Sequence, residues 1–454
     1  MTTVERRVDG TAGAGPPTES TPEEPATRLT SEPRPTPGQQ ASAGPGELDR
    51  RQQRRLIVVL GSLIAIGPLT IDMYLPALPT ITADLQTTTA AVQLTLTGTL
   101  AGLALGQLLI GPLSDAVGRR RPLLIGTIVH VIASVLCVVA PNIAVLGTLR
   151  VLQGLGAAAA SVIALAVVRD LFSGSAVARL FSRLMLVMGV APVLAPTLGG
   201  ALLKWTDWRG VFVALAILGA GLIAVIVFAL RESLPPEKRR TDGALGTLRV
   251  YGSLLRDRTY VGLALVAGLA MAALFAYVAG SSFVFQDQYG LDEQQFAVVF
   301  GAGAVGLIGA TQLNVRLLRR YTPFQILRGA LVAGTVLGAG LLVVAATNFG
   351  GLAGVLVLLW AVLAAAGLAL PNAPALAMAR HGEAAGTAAA LLGAVQFGIG
   401  AVAAPLVGVL GTGSVAMAAV IAGGMLAALV VLVVVARPEQ LTDIDSADSA
   451  VAVH

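Results

Sequence analysis

The chain reads as an all-α integral membrane protein: twelve transmembrane helices in two pseudo-symmetric halves of six. Composition, the run pattern and the placement of basic residues predict it. Of 454 residues, 56% are hydrophobic and 12% charged, with mean hydropathy +0.81, whereas a soluble domain carries about 25% charge. Once the polar ends are set aside, residues 56–436 hold only 34 charges. Their length accommodates about a dozen helices of ~20 residues, each able to satisfy its own backbone groups in hydrocarbon.

The first 55 residues contain eight prolines and few bulky apolar side chains. They bury too little surface to offset chain entropy, so a disordered cytoplasmic tail is expected. No apolar stretch precedes Leu56, which argues against a cleavable signal. Twelve apolar segments follow, at 56–78, 92–113, 121–140, 143–168, 180–203, 211–230, 259–286, 295–315, 324–346, 350–371, 386–410 and 414–436. With the N-terminus inside, 23 of the 30 Lys and Arg fall on inner flanks and two, Lys204 and Arg209, on outer connections. That asymmetry is the topology signal of a membrane protein. The net charge of +5 therefore reads as orientation, and no nucleic-acid partner is expected. Residues 437–454 form a second cytoplasmic tail.

The longest inner connection, 231–258, divides the spans into a half at 56–230 and a half at 259–436. Gly106, Arg119 and Arg120 recur 200 residues later as Gly306, Arg319 and Arg320, and Gly189, Pro196 and Gly199 recur 209 later as Gly398, Pro405 and Gly408. A parallel repeat of this kind places a binding site at the midplane between the halves.

The most specific local signal is GQLLIGPLSDAVGRRRP at 106–122. A helix end with a carboxylate, Asp115, meets a turn glycine, Gly118, and guanidiniums, the parts of a latch whose charge-assisted contacts make and break between states. This stretch resembles the loop motif of the major facilitator superfamily through Gly111, Asp115, Gly118, Arg119 and Arg120. LRVLQGLGAAAAS at 149–161 is similar to a second motif through Arg150, Gln153, Gly154 and Gly156. GVAPVLAPTLGG at 189–200 resembles the helix-flexing motif of drug:proton antiporters through Gly189, Pro192, Pro196, Gly199 and Gly200, with Ala195 where glycine usually stands. TIDMYLPALPTITADL at 70–85 and VVRDLF at 167–172 resemble the Bcr/CflA branch, exporters related to bicyclomycin and chloramphenicol resistance proteins.

Asp72 is the only acidic residue well inside a span. It lies ~24 Å past Leu56 at 1.5 Å per residue, and Arg150 lies ~14 Å below Pro141, one or two turns from the same depth. Intramembrane charges are costly, so a facing pair that carries the coupling proton is expected. An alternative has Pro76 and Pro79 ending the helix early and exposing Asp72 to water. Gly67 and Pro68 add kink sites in the first span, and Gly98, Gly102 and Gly106 form a close-packing face. Tyr74, Phe275, Tyr277 and Gln396 are candidate cavity residues, with Asn372, Phe283 and Phe285 behind them.

Other patterns fail. Gly301, Gly303 and Gly306 spell GxGxxG inside an apolar span with no preceding strand. Lys204 and Lys238 follow no phosphate loop. His130, His381 and His454 are scattered, and Cys137, the single cysteine, reads as packing, so no metal, triad or disulfide is expected. The resemblance implies a monomeric, proton-driven, non-enzymatic exporter of small amphipathic compounds in a bacterial plasma membrane, without cofactor. A proton-coupled importer of a nutrient or metabolite remains the alternative.

Overall fold

The computed structural model describes residues 50–172, 175–239, 243–381 and 384–436. The two tails expected from the sequence lie outside these, apart from Arg50 to Arg55, which open the first helix.

The described chain is helical throughout: α1 (Arg50–Asp72), α2 (Leu78–Asp84), α3 (Thr89–Val117), α4 (Arg120–Val138), α5 (Ile143–Leu171), α6 (Ser175–Leu202), α7 (Trp208–Ala229), α8 (Gly243–Arg256), α9 (Arg258–Ser282), α10 (Glu293–Leu317), α11 (Pro323–Thr347), α12 (Gly351–Met378), α13 (Ala385–Leu410) and α14 (Ser414–Val434). Eleven runs are long and apolar enough to cross a membrane, the first comprising α1 and α2 together. The twelfth crossing is α6, whose apolar part is the shorter stretch Leu186–Leu202. Helix starts follow local chemistry: Thr88, Asn142 and Asp257 accept from backbone N–H groups of the first turn, and Asp292 and Thr322 form full capping boxes with Gln295 and Gln325.

The first span is broken rather than kinked at its outer part. α1 ends at Asp72, a 3-10 turn covers Leu75–Ala77, and α2 resumes at Leu78. Pro76 and Pro79 sit at the first or second positions of these short elements, where a missing N–H costs nothing. Pro68 lies inside α1.

Within the first half, α3 and α5 approach through glycine. A Cβ on Gly98 would lie 2.7 Å from the Gly147 carbonyl oxygen, and Cβ atoms on Gly102 and Gly154 would collide with the backbone of Val151 and Thr99. Without lipid–water contrast to drive helix association, this close van der Waals packing holds the seam. The halves meet along α3 against α13 and α6 against α10, two seams related by exchanging the halves.

Hydrogen bonds between the halves cluster at one end. Gln93 Nε2 donates to the Ala279 carbonyl (3.0 Å), Gln286 Nε2 to Pro76 (3.1 Å), Gln294 Nε2 to Gly200 (3.3 Å) and Ser282 Oγ to Leu75. At the opposite, arginine-rich end, the linker helix α8 makes the contact: Tyr251 Oη donates to the Leu108 carbonyl at 3.1 Å. The structure is thus sealed at the end remote from the arginines.

Candidate functional site: a buried carboxylate and a charged loop

Arg150 is fully buried in α5. Its guanidinium donates to Gln153 Oε1 and, at 2.9 Å, to the carbonyl of Thr70 in α1, and lies 4.1 Å from the Tyr74 ring centroid and 5.7 Å from that of Phe212. Gln153 passes the network on, donating to Ser134 Oγ at 2.7 Å. Backbone dipoles and aromatic faces therefore replace a carboxylate as partners of this cation.

The expected facing pair is not formed. Asp72, 5% exposed, makes no ion pair with Arg150 and no side-chain hydrogen bond among the described residues. The reason lies in α1: Arg150 reaches the helix two residues earlier, at the Thr70 carbonyl, and Tyr74 covers the guanidinium from the turn that follows. Asp72 instead lies close enough to Tyr277 of α9 to act on its hydroxyl electrostatically. The register agrees: Ser282 bonds Leu75, and five residues back along α9 against three back through the break to the end of α1 bring Tyr277 and Asp72 to a similar depth. The carboxylate faces the seam between the halves.

Of the cavity candidates, Tyr74, Phe275 and Tyr277 are buried. Tyr277 stacks on Phe300 with centroids 4.9 Å apart, and Phe275 packs on Phe397 at 6.2 Å. Gln396 is half-buried. Asn372 is taken up by Asn314 Oδ1 at 2.7 Å, and Phe283 and Phe285 are buried near the sealed end. Trp360, which the sequence did not single out, has an indole N–H with no partner, and a Cβ on Gly303 would lie 3.2 Å from it and 3.0 Å from Tyr277 Oη.

The charged loop brings Asp115, Gly118 and Arg119 together, with partners the sequence did not name. Gly118 has φ +99°, a conformation that favours glycine. Arg119 pairs with Asp115 four residues back, and its Nε donates to Asp170 Oδ2 at 2.9 Å. Ser233 Oγ donates to the same oxygen at 3.0 Å. α4 has no side-chain cap of its own. Glu232, from the segment after α7, supplies one: it accepts from the N–H of Arg119 at 2.8 Å and of Arg120 at 3.2 Å. Burial works against its charge, but these bonds, one from Leu234 and the nearby Arg239 hold its carboxyl below the usual range. Arg120 itself donates to the Val227 carbonyl at 2.8 Å. VVRDLF contained Asp170, and the run RES at 231–233 was a visible signal for the other two. Above the loop a polar 290 Å³ pocket, lined by Asp115, Arg119, Arg169, Gly386 and Thr387 among others, separates the two halves.

In the helix-flexing stretch, Gly199 lets α6 touch the Met73 carbonyl, and Gly189 and Gly200 face Ile308 and Glu293 of α10 across the seam. Pro192 and Pro196 lie inside α6. The stretch therefore touches both the broken span that carries Asp72 and the opposite half. Gln153 and Gly154 of the second motif serve the Arg150 network and the α3 contact. Asp84 is occupied at the sealed end by Trp208 Nε1 (2.9 Å) and Arg209 Nη1 (2.8 Å).

Known proteins resemble this chain in sequence and in fold. The chain is 39% identical over 354 residues to the uncharacterized MFS-type transporter YdgK of Bacillus subtilis, covering 78% of this chain and 88% of that one. It is 31% identical over 355 residues to a bicyclomycin resistance protein homolog of Haemophilus influenzae, covering 76% and 87%. The fold matches a crystal structure of a D-xylose-proton symporter with a TM-score of 0.65 at 17% identity, covering 85% and 98%. Residues 59–405 match the model of the Major Facilitator Superfamily, and with the charged loop, the buried Arg150 network and the paired six-helix halves in place, the chain belongs to that family of membrane transporters.

Proposed function

We propose that this chain exports small amphipathic compounds from a bacterial cell in exchange for protons, by alternating access of its two halves across the plasma membrane. One observation carries the reading: Asp72 is the one Asp or Glu buried among the described residues, and it lies at the seam without an ion pair. A carboxylate in that setting is held uncharged by its apolar surroundings and charged by any cation brought to it, so a modest movement loads or releases a proton. Arg150 keeps its Nε–H without an acceptor. That donor is in reserve for Asp72, which stands where α1 breaks.

In this cycle protonated Asp72 faces Tyr277, and ionised Asp72 turns to Arg150 as substrate binds. The arginine-rich end with both termini is cytoplasmic by its charge, so the sealed end is the outer one and this arrangement is the one presented to the cytoplasm. Export, rather than import, follows the relative named for bicyclomycin resistance. One proton falling through ~100 mV contributes ~2.3 kcal/mol, and a pH unit ~1.36 kcal/mol. Together they sustain roughly a 500-fold gradient of a neutral compound.

Susceptibility screening of an efflux-deficient bacterial host expressing the chain identifies substrates. Inverted vesicles, acidified inside, are then expected to accumulate them and to release them when the proton gradient collapses. Movement in the opposite direction on the same gradient would replace the exporter with the importer, and gradient-independent equilibration would remove proton coupling.

A further inference from the structure

A groove of about 540 Å³ opens on the outer wall of the first half, between α1 and α7 and close to the arginine-rich end. Arg55, Val58 and Val59 line it from α1, and Ala224, Val225 and Phe228 from α7. It lies away from Asp72, beside the outer flank of the charged loop, and transport as proposed above makes no use of it. Its walls are apolar, Val58 and Phe228 stand 67% and 83% exposed, and Arg55 is the charged side chain lining it among the described residues. In a membrane that exposed surface meets acyl chains, and Arg55 stands at the level of the headgroups where α1 enters the bilayer.

The dimensions fit part of one lipid. From Arg55 to Val59 and from Ala224 to Phe228 are four residues each, a depth of about 6 Å. That takes a glycerol backbone and the first carbons of a chain, with the phosphate level with Arg55. Charge favours an anionic headgroup. The sequence adds Arg50, Arg51 and Arg54 just before Arg55, and Arg120 is anchored on the Val227 carbonyl, the neighbour of Phe228. Glu232, which accepts from the Arg120 N–H, is committed to backbone N–H groups at the start of α4.

We infer that this groove is a binding site for a single anionic phospholipid of the leaflet at the arginine-rich end, its phosphate on Arg55 and its upper acyl chain between Val58 and Phe228. The full chain, purified and exchanged into mixed micelles of phosphatidylglycerol or phosphatidylcholine, tests this by native mass spectrometry, counting retained lipid. Retention of one phosphatidylglycerol in preference to phosphatidylcholine is expected. Arg55→Gln should lower that retention about fivefold, the ~1 kcal/mol that one basic side chain contributes at an anionic surface, and Arg55→Lys should restore most of it. Ala224→Phe, which fills the groove and keeps the charge, should also lower it, whereas Val430→Phe on the exposed face of α14 should not. Each variant's melting curve confirms that it is folded. Equal retention of the two lipids, or an Ala224→Phe protein that binds phosphatidylglycerol as wild type does, would overturn the site and leave Arg55 as a topology signal alone.

Discussion

Asp72 and Arg150 show how a residue's role depends on which partner reaches it. The guanidinium takes a backbone carbonyl, a glutamine and a tyrosine face, and Asp72 has no ion pair among the described residues, which is what the proposed proton exchange requires. Asp72→Asn is therefore expected to abolish uphill transport while retaining substrate binding. The measurement is proton release on substrate addition to solubilised protein: wild type should release protons and the variant none, and equal release would place the coupling proton elsewhere. At the loop, Glu232 supplies α4 with its missing cap, so Glu232→Ala should cost about 1 kcal/mol, seen as a lowered melting temperature. The carboxyl is held below its ordinary value, so its contribution is complete above the unfolded carboxylate pKa of about 4.3 and is lost as pH falls through the native value. The gap in melting temperature between wild type and variant should be constant near neutrality and close on acidification; a gap that widens in acid would contradict the assignment.

Among the elements, the α3–α5 seam and its counterpart in the second half differ in tightness. Gly154 has no room for a methyl group, because Cβ would meet the Thr99 backbone, while Gly306 has open space around it. Gly154→Ala should therefore force the helices apart and destabilise the protein by about 1–3 kcal/mol. Gly306→Ala should be neutral or stabilising by up to ~1 kcal/mol through helix propensity. Thermal melts of the two variants in one detergent check this, and equal shifts would show that the glycines only reflect composition. The repeat visible in the sequence is thus only partly a repeat of packing: Gly106 meets the Ala158 methyl and its partner Gly306 meets nothing, whereas Gly199 and its partner Gly408 both press on backbone, of Met73 and of Ala90.

At the scale of the whole molecule, the charged loop ties α3, α4, α5 and the segment after α7 into one unit that abuts α13 across a polar pocket. Asp115→Asn is expected to leave insertion intact and slow turnover severely, since Arg119 would keep Asp170 as its one acidic partner among the described residues, beside the Ser114 hydroxyl. Wild-type rates would reduce the loop to an orientation signal. Orientation itself is testable with single cysteines, because the native Cys137 is buried and should not label. A cysteine at Lys238 should react only with reagent that reaches the cytoplasm, and one at Phe349, 75% exposed at the sealed end, should react from outside. The reverse pattern would invert the transporter and with it the direction of the proton cycle.

The sequence by itself determined the twelve crossings and the family. These rest on properties that each segment carries alone: an apolar run long enough to cross, a basic flank, a turn glycine between charges. It also located Asp115, Arg119, Asp72 and Arg150. The tertiary structure alone decided how these groups are partnered. Glu232 lies 113 residues from the Arg119 N–H it accepts and Asp170 lies 51 from the same guanidinium, separations over which no periodicity operates. Equal depth placed Asp72 and Arg150 near each other, but depth leaves azimuth free. The break after Asp72 and the competition of Thr70, Gln153 and Tyr74 for one guanidinium turned the carboxylate towards the other half. A charge inside a membrane takes whichever dipoles packing delivers first, and packing is a property of the assembled helices.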